Sequence, residues 1–375
     1  MSENNFVKLG DVAHECRLTW SGGQTDIPIV GLEHLVPGEI ELSSWDSNIE
    51  HTFSKKFLKG QVLLGRRRVY LKKAVVAPCD GICSGDITVI ESTGGILPEL
   101  LPFVIQNDRF FDYAMQGSAG SLSPRVKWEH LKNYEFSLPP LAEQKVLADK
   151  LWAAYRLKES YKKLLATTEE MVKSQFIEMF GSVDDNPKSY DIKKVGDFAE
   201  CFAGATPSTK ISSYWDNGNI PWMSSGEVHK ARVQDTDAKI TQQGYDGCST
   251  KMVPIHSIVI ALAGQGKTRG TVAINDIELC TNQSLCAIVP NEEVNYEYLF
   301  HNLRGRYKEL RSMSGDVDGR GGLNLKHIQS IKVIVPPMSE QMKFVSIARQ
   351  ADKSGFELRK SIDAIDAVIK SLINS

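Results

Sequence analysis

The clearest pattern of apolar and polar positions lies near the end of the chain. Apolar or small residues recur there in alternating steps of four and three, at Phe344, Ala348, Ala351, Gly355, Leu358, Ile362, Ile365, Ile369 and Leu372. This spacing places them on one stripe of an α-helix and is typical of the seam of a coiled coil. The pattern predicts a long helix over residues 338–375.

A second run of the same kind lies in the middle of the chain and predicts a helix over residues 141–180. Its apolar positions follow the same rule with one slip, at Leu147, Leu151, Ala154, Leu157, Tyr161, Leu164, Thr168 and Met171. Neither helix can bury a one-sided stripe alone, so we expect the two to pair as an antiparallel coiled coil. The residues expected to make this pairing are Leu147, Leu151, Leu157, Tyr161, Leu164, Leu358, Ile362, Ile365 and Ile369.

The chain also carries an internal repeat. The segment LPPLAEQ at residues 138–144 returns as VPPMSEQ at residues 335–341, and VKLGDVA at 7–13 resembles KKVGDFA at 193–199. In each copy, short strand-like runs separated by glycine and polar turns, with helical stretches between them, precede the long helix. The predicted fold class is therefore α+β, with two similar globular domains, each followed by a long α-helix. The expected boundaries are 1–140 and 191–337 for the domains, 141–180 and 338–375 for the helices, and 181–190 for a linker.

Helices of this length would hold the two globular domains apart at a fixed distance. About 35 to 40 residues at 1.5 Å each give a rod of roughly 50 to 60 Å, longer than one turn of B-DNA at about 34 Å. Such a chain could contact two short DNA sites separated by an untouched gap. A coiled-coil scaffold without DNA-binding activity is the simpler alternative, but it gives no reason for two diverged domains held at a set distance.

Composition limits where a DNA-binding surface can lie. The formal net charge is -2, with 42% hydrophobic and 24% charged residues, so any basic surface must be local. No stretch approaches 18 apolar residues and the start lacks a signal-peptide pattern, so we expect a cytoplasmic protein. The 7 cysteines form no CxxC pair, and we expect reduced, mostly buried thiols and no metal site.

The strongest local concentration of positive charge is LLGRRRVYLKKAVV in the first copy. Five cations lie there with an aromatic between them, a combination that favours nucleic-acid binding over a solvated surface. These residues are Arg66, Arg67, Arg68, Tyr70, Lys72 and Lys73. The equivalent stretch of the second copy, ALAGQGKTRG, offers Lys267 for DNA phosphates and Arg269 for a phosphate or a guanine edge.

The stretch ALAGQGKTRG also satisfies a relaxed phosphate-loop pattern. A genuine phosphate loop closes onto a helix whose N-terminal amides hold the phosphates. Here Lys267-Thr268 is followed by RGTVAI, which indicates a turn into a strand. We therefore keep nucleotide binding only as an alternative function, from a different functional class than DNA recognition.

Two glycine-rich loops, at residues 117–127 and 315–326, are further candidates for DNA contact. Arg125, Lys127 and Arg320 could contact DNA from these loops, although an ordinary connector explains the composition equally well. Trp222 follows a proline in IPWMSS and would lie near a groove if exposed, but core packing is the better default for a tryptophan.

The duplicated PPLAEQ and PPMSEQ, with IPWMSSGEV, GQGKTRGTVAI, TNQSLCAIV and LNLKHIQSIKVIVPP, resemble the DNA-specificity subunit of type I restriction–modification systems. The resemblance implies two target-recognition domains that each read half of a bipartite sequence in double-stranded DNA. It also implies helices that set the gap and dock two adenine-methyltransferase subunits, with restriction subunits outside. The chain itself would need no cofactor and catalyse nothing; S-adenosylmethionine, and ATP with Mg for restriction, would belong to the partners. A specificity subunit of a type II system, serving a fused nuclease–methyltransferase, is the alternative within this class.

Overall fold

The structure is a computed structural model that describes residues 5–22, 26–120, 123–264, 266–314 and 321–374. The chain divides into two compact units. Unit 1 takes the chain up to Lys163 together with the residues from Leu358 onward, and unit 2 takes Leu164–Glu357. Each unit therefore contains a segment of both long helices. No helix in these ranges combines the length and the apolar composition needed to span a bilayer.

In the residues that the structure describes, unit 1 has nine short strands and four short α-helices before the first long helix. The strands are β1 Asn5–Lys8, β2 Ala13–Cys16, β3 Ile29–Val30, β4 Lys55–Phe57, β5 Val62–Gly65, β6 Ala74–Val76, β7 Gly81–Cys83, β8 Ile87–Ser92 and β9 Glu135–Leu138. The helices are α1 Leu9–Val12, α2 Leu101–Ile105, α3 Asp108–Gln116, α4 Trp128–Leu131 and the long α5 Leu141–Phe180.

After its segment of α5, unit 2 repeats the short strand, helical turn and second strand with which unit 1 starts. Its strands are β10 Asp191–Lys194, β11 Ala199–Ala203, β12 Ile220–Met223, β13 Arg232–Val233, β14 Ala238–Ile240, β15 Ile258–Ala261, β16 Val272–Asn275, β17 Cys280–Thr281, β18 Leu285–Pro290 and β19 Lys332–Val335. Its helices are α6 Val195–Phe198, α7 Gln242–Asp246, α8 Tyr296–Gly305, α9 Tyr307–Ser312, α10 Leu325–Ser330 and the long α11 Met338–Asn374.

The two units share one topology. Unit 1 has a sheet of order β2-β8-β5-β6, and unit 2 has the corresponding order β11-β18-β15-β16 with β13 added at one edge. In each unit the first strand pairs antiparallel with the last, β1 with β9 and β10 with β19. The central strands read as continuous apolar runs, such as VLL in β5 and IVIA in β15, because both of their faces are buried.

The repeated Pro-Pro-x-x-Glu-Gln segment ends in a glutamine with the same role in both units. Gln144 in unit 1 is 1% exposed; its amide donates to the carbonyls of Gly95 and Pro139, and its oxygen accepts from the Leu97 N–H. Gln341 in unit 2 is fully buried and makes the equivalent bonds with Glu293, Pro336 and Asn295. Each glutamine fixes the first turn of a long helix to a loop of its own unit.

Segments of the two long helices pack in both units, and the start of one meets the end of the other. In unit 1, Leu147 of α5 and Ile369 and Leu372 of α11 pack against the same core, and Lys158 bonds Asp366 at 2.7 Å. In unit 2, the ring of Phe344 near the start of α11 lies 5.1 Å from that of Phe176 near the end of α5. This order is the one expected of antiparallel helices.

The residues predicted to form the coiled-coil seam are buried to different extents on the two helices. On α11, Phe344, Ala348 and Ala351 are buried, and Leu358, Ile362, Ile365 and Ile369 are half-buried. On α5, Leu151 is buried and Leu147 and Tyr161 are half-buried, but Leu157 and Leu164 are 45% and 50% exposed. The prediction that these two leucines are buried in the helix pairing was wrong. Next to Leu157, the charged Lys158 takes the inward position through its bond with Asp366.

The buried His301 of α8 makes the stability of unit 2 depend on pH. Its ring packs 5.5 Å from that of Phe344, and burial lowers its pKa from 6.5 to about 4. The folded unit keeps this imidazole neutral while the unfolded chain takes up a proton below pH 6.5. The stabilisation is therefore present above pH 6.5 and is lost as the pH falls towards the folded pKa near 4, by on the order of 3 kcal/mol.

We expect His301→Leu to flatten the decline in unit 2 stability between pH 6.5 and 4.5. The measurement is amide hydrogen exchange of unit 2 peptides across this range. The matched control is His229→Gln, which changes an exposed histidine of the same unit and should leave the slope unchanged. Equal slopes for wild type and His301→Leu would contradict the assignment.

Candidate nucleic-acid interface

The first basic loop, residues 66–73, connects two antiparallel strands of the unit 1 sheet. It leaves β5 at Gly65 and enters β6 at Ala74, and Leu64 pairs with Ala74 across the hairpin. Arg68 is exposed, and Tyr70 is 52% exposed on a short 3-10 turn. The lysines that follow are half-buried and already have partners, with Lys72 bonded to Asp108 and Lys73 to the carbonyl of Leu32.

The glycine-rich loop before α4 lies directly beside this basic loop. The Arg68 N–H donates to the carbonyl of Pro124 at 2.8 Å, and the Val126 N–H donates to that of Arg66 at 3.0 Å. Arg67 and Arg125 face each other in an antiparallel bridge. The structure thus brings together two segments that the sequence singled out separately. We call Arg66, Arg67, Arg68 and Arg125 the arginine patch.

Asp86 holds two side chains of the arginine patch, those of Arg125 and Arg67. Arg125 binds its carboxylate through two bonds, Nε at 2.7 Å and Nη2 at 3.2 Å, and Arg67 Nη1 lies 3.5 Å away. The hydrogen bond from Arg125, with the charges of Arg125, Arg67 and Arg66, keeps the pKa of Asp86 below its ordinary value. The patch therefore has four arginines and one neighbouring carboxylate whose lowered pKa favours its charged form, and it retains a net positive charge. Lys127 is exposed next to the patch, at the start of α4.

The second basic loop, residues 262–271, occupies the equivalent hairpin of unit 2. It leaves β15 at Ala261 and enters β16 at Val272, and these strands pair antiparallel. Gly264, Gly266 and Gly270 adopt positive φ angles, which glycine tolerates at no steric cost. Because a strand follows Lys267 where a phosphate loop requires a helix, this segment lacks the N-terminal amides that would hold a nucleotide.

The loop before α10 lies beside the second basic loop, as in unit 1. The Leu323 N–H donates to the carbonyl of Leu262 at 2.8 Å, and the guanidinium of Arg269 donates to the carbonyl of Gly321. Arg269 is 3% exposed, so it joins two loops where an exposed DNA contact was expected. Arg320, predicted in the same loop, lies outside the described residues.

Lys267 is exposed and lines a cavity of about 310 Å³ in unit 2. His229, Arg304 and Tyr307 line the same cavity, and His229 lies 3.2 Å from the hydroxyl of Thr268. Arg304 also has an acidic neighbour, since its Nη2 lies 3.6 Å from Glu169. Two cations and two hydrogen-bonding side chains around one cavity suit an anion such as a phosphate.

Trp222 belongs to the core. It is 8% exposed, its ring lies 5.1 Å from that of Trp215, and its Nε1 donates to the carbonyl of Ala205 at 3.1 Å. Trp222 is therefore wrong as a candidate DNA contact, and the core packing expected by default for a tryptophan is what the structure has, with burial and an internal hydrogen bond satisfying both parts of the side chain.

Sequence reasoning missed Asp86 in unit 1 and His229, Arg304 and Tyr307 in unit 2. Asp86 is about 40 residues from Arg125 in the chain, and the three cavity residues come from separate elements. Isolated residues of these types carry no local pattern. Only the tertiary packing of these elements brings the four residues to the basic loops.

Comparisons with known proteins connect this arrangement to one family. A family model described as "Type I restriction modification DNA specificity domain" matches residues 187–365. The chain is 27% identical over 163 residues to the Type I restriction enzyme EcoR124I/EcoR124II specificity subunit of Escherichia coli, covering 43% of this chain and 40% of that protein. It is 26% identical over 195 residues to the Type I restriction enzyme MjaIX specificity subunit of Methanocaldococcus jannaschii, covering 50% and 44%. These matches thus span less than half the length of either relative.

Solved structures extend the likeness over the whole chain. The S subunit of the type I restriction–modification system from M. genitalium superposes with a TM-score of 0.55 at 14% identity, covering 100% of this chain and 96% of that one. A chain from a study of assembly and conformational transition of the type I R-M system gives 0.57 at 17% identity, covering 99% and 97%. At such identities the likeness concerns the fold, and it confirms the predicted α+β class with two long helices.

Proposed function

We propose that the chain is the sequence-specific DNA-recognition subunit of a type I restriction–modification complex, on the premise that residues 187–365 match the type I restriction modification DNA specificity domain. The observation that carries the proposal is the repeated placement of a basic hairpin loop beside a glycine-rich loop. The pair of loops occurs at equivalent positions of both units, while the residues it presents differ. A shared scaffold with diverged contact residues is what two readers of different sequences require.

In this proposal each unit reads one half of a bipartite target in double-stranded DNA. The arginine patch of unit 1 offers guanidinium groups, which bind phosphates or guanine edges. The cavity beside Lys267 in unit 2 offers cations suited to a phosphate. A phosphate contact positions the unit on the duplex, and the half-sites would differ in sequence because the two pairs of loops present different residues to the bases.

The long helices are proposed to dock two adenine-methyltransferase subunits, with restriction subunits added to the complex. Support comes from large apolar side chains left exposed on the α5 segment of unit 2, where Leu164, Met171 and Ile177 are 50%, 49% and 57% exposed.

S-adenosylmethionine, and ATP with Mg for restriction, are assigned to those partners. The chain itself contributes DNA recognition without catalysis, in the cytoplasm. The curated relatives are type I subunits, so a type II role is not favoured.

A domain exchange tests the proposal. Residues 1–140 are replaced by the recognition domain of another specificity subunit, the chain is expressed with its methyltransferase, and methylated adenines are mapped across the genome. We expect a split motif with a constant gap in which only one half changes on exchange. The reciprocal exchange of residues 191–337 is the control and should change the other half alone. A motif unaffected by either exchange would contradict the proposal.

A further inference from the structure

Three side chains that can bind a metal ion converge at the edge of the unit 1 sheet. His14 and Cys16 lie on the edge strand β2, two residues apart and therefore on one face. Glu91 lies on the neighbouring strand β8, directly opposite His14. Cys16 Sγ is 3.1 Å from Glu91 Oε2 and 3.7 Å from His14 Nε2, and the three ligand atoms lie within 4.8 Å of one another.

A fourth side chain orients two of these groups. Gln61 is 2% exposed, and its Nε2 donates to Cys16 Sγ at 3.3 Å and to Glu91 Oε2 at 3.0 Å. Its own oxygen accepts from the Leu58 N–H, which fixes the direction of the amide. Hydrogen bonds of this kind from a buried neighbour position metal ligands and strengthen binding.

We propose that His14, Cys16 and Glu91 bind a zinc ion. Tetrahedral zinc with bonds of about 2.0–2.3 Å separates its ligands by about 3.3–3.7 Å, close to the spacing of these three atoms. A thiolate, a carboxylate and a neutral imidazole balance the two positive charges of the ion. His14 and Glu91 are exposed, which leaves water access to the fourth coordination position.

Zinc binding would replace the present hydrogen bond between Cys16 and Glu91. The thiol proton leaves to solvent as the sulfur–zinc bond forms, and the Glu91 oxygen that accepted that proton becomes a ligand. The ion would tie the edge strand β2 to β8 through side chains in addition to their backbone pairing. Since neither strand carries a residue of the basic loops, the proposal does not depend on the proposed DNA-binding function.

Two comparisons within the chain make the cluster distinctive. The matching positions of unit 2 hold Glu200, Phe202 and Val289, so the cluster is not part of the duplicated scaffold. A second group of potential metal ligands, Glu33, His34 and Asp46, differs from the cluster because both ring nitrogens of its histidine face other groups of the protein. His34 Nδ1 accepts from the Gly31 N–H at 2.9 Å, so Nε2 carries the proton and faces Asp46 as a donor.

The test is metal binding by the full chain after chelator treatment. Equilibrium dialysis against Zn²⁺ should give one tightly bound ion per chain. Cys16→Ser and Glu91→Gln should each weaken binding by about 100-fold or more, and Gln61→Leu by about 10-fold, the scale of losses when a partner of a ligand is removed. Two matched controls, Cys79→Ser and Glu15→Gln, remove another thiol and another carboxylate of unit 1 and should bind as the wild type does.

A spectrum of the wild-type chain loaded with Co²⁺ provides a measurement that does not depend on any variant folding. A thiolate-to-cobalt charge-transfer band together with the visible bands of a tetrahedral site is the expected result. Absence of the charge-transfer band, or absence of a tight site in dialysis, would overturn the proposal. So would wild-type affinity in a folded Cys16→Ser chain.

Discussion

Replacing Arg66, Arg67 and Arg68 with glutamine should lower the affinity of the chain for its duplex target by on the order of 100-fold. Each guanidinium contact with a guanine edge contributes about 1–3 kcal/mol, and each phosphate contact adds about one to the salt slope of log K. The affinity loss should therefore come with a shallower dependence on salt concentration. Fluorescence anisotropy titrations at several salt concentrations measure both quantities.

A matched control separates the arginine patch from charge in general. The triple variant Lys8→Gln, Lys132→Gln and Lys145→Gln also removes three positive charges, from side chains of unit 1 that are 51%, 43% and 59% exposed. We expect it to keep nearly the wild-type affinity and slope. Equal losses in the two triple variants would mean that net charge, and not the placement of the patch, governs binding.

Phe344→Ala should reduce the free energy of unfolding of unit 2 by about 3–5 kcal/mol, the usual cost of truncating a fully buried phenylalanine. Phe344 is 0% exposed. Its ring lies 5.1 Å from that of Phe176 and 5.9 Å from that of Phe180, where segments of the two long helices meet. The substitution removes this shared contact and leaves a cavity. Hydrogen exchange should show lost protection in peptides from α8 and the end of α5.

Phe356→Ala provides the control on the same helix. Phe356 is 63% exposed, so its truncation should change the free energy of unfolding by no more than about 0.5 kcal/mol. A similar loss in both variants would indicate a general effect on helix α11. An unchanged stability of Phe344→Ala would rule out this ring cluster as a main stabilising contact of unit 2.

The long helices and the repeated strands could be predicted because their signals are local. The heptad spacing on α11 and the apolar runs of β5 and β15 depend on neighbours within a few residues. The proximity of the two loops in each unit could not be predicted in the same way. Arg67 and Ser123 are 56 positions apart in the chain, and only the completed sheet brings them to 3.0 Å.

The positions of charged side chains that the structure buries were the least predictable from the sequence. Lys158 is polar by type, yet a bond to Asp366 allows it to be buried in the place of Leu157. Arg269 reads as a surface cation, but a carbonyl from another loop accepts its hydrogen bond and the side chain is buried. In both cases the side chain can be buried because it has a hydrogen-bond partner, and that partner cannot be identified from the sequence. The metal-binding cluster is the same case, since Glu91 is 75 positions from Cys16.

Gln144 and Gln341 bear on how chains of this design can evolve. Every bond described for these two amides ends on a main-chain N–H or C=O, and a main chain offers nearly the same groups whatever residue occupies the position. Mutations in the loops proposed to read DNA, or the inheritance of a whole unit from another gene, would therefore leave the attachment of each long helix intact. New target sequences could be acquired without any change in the residues that attach the long helices to their units.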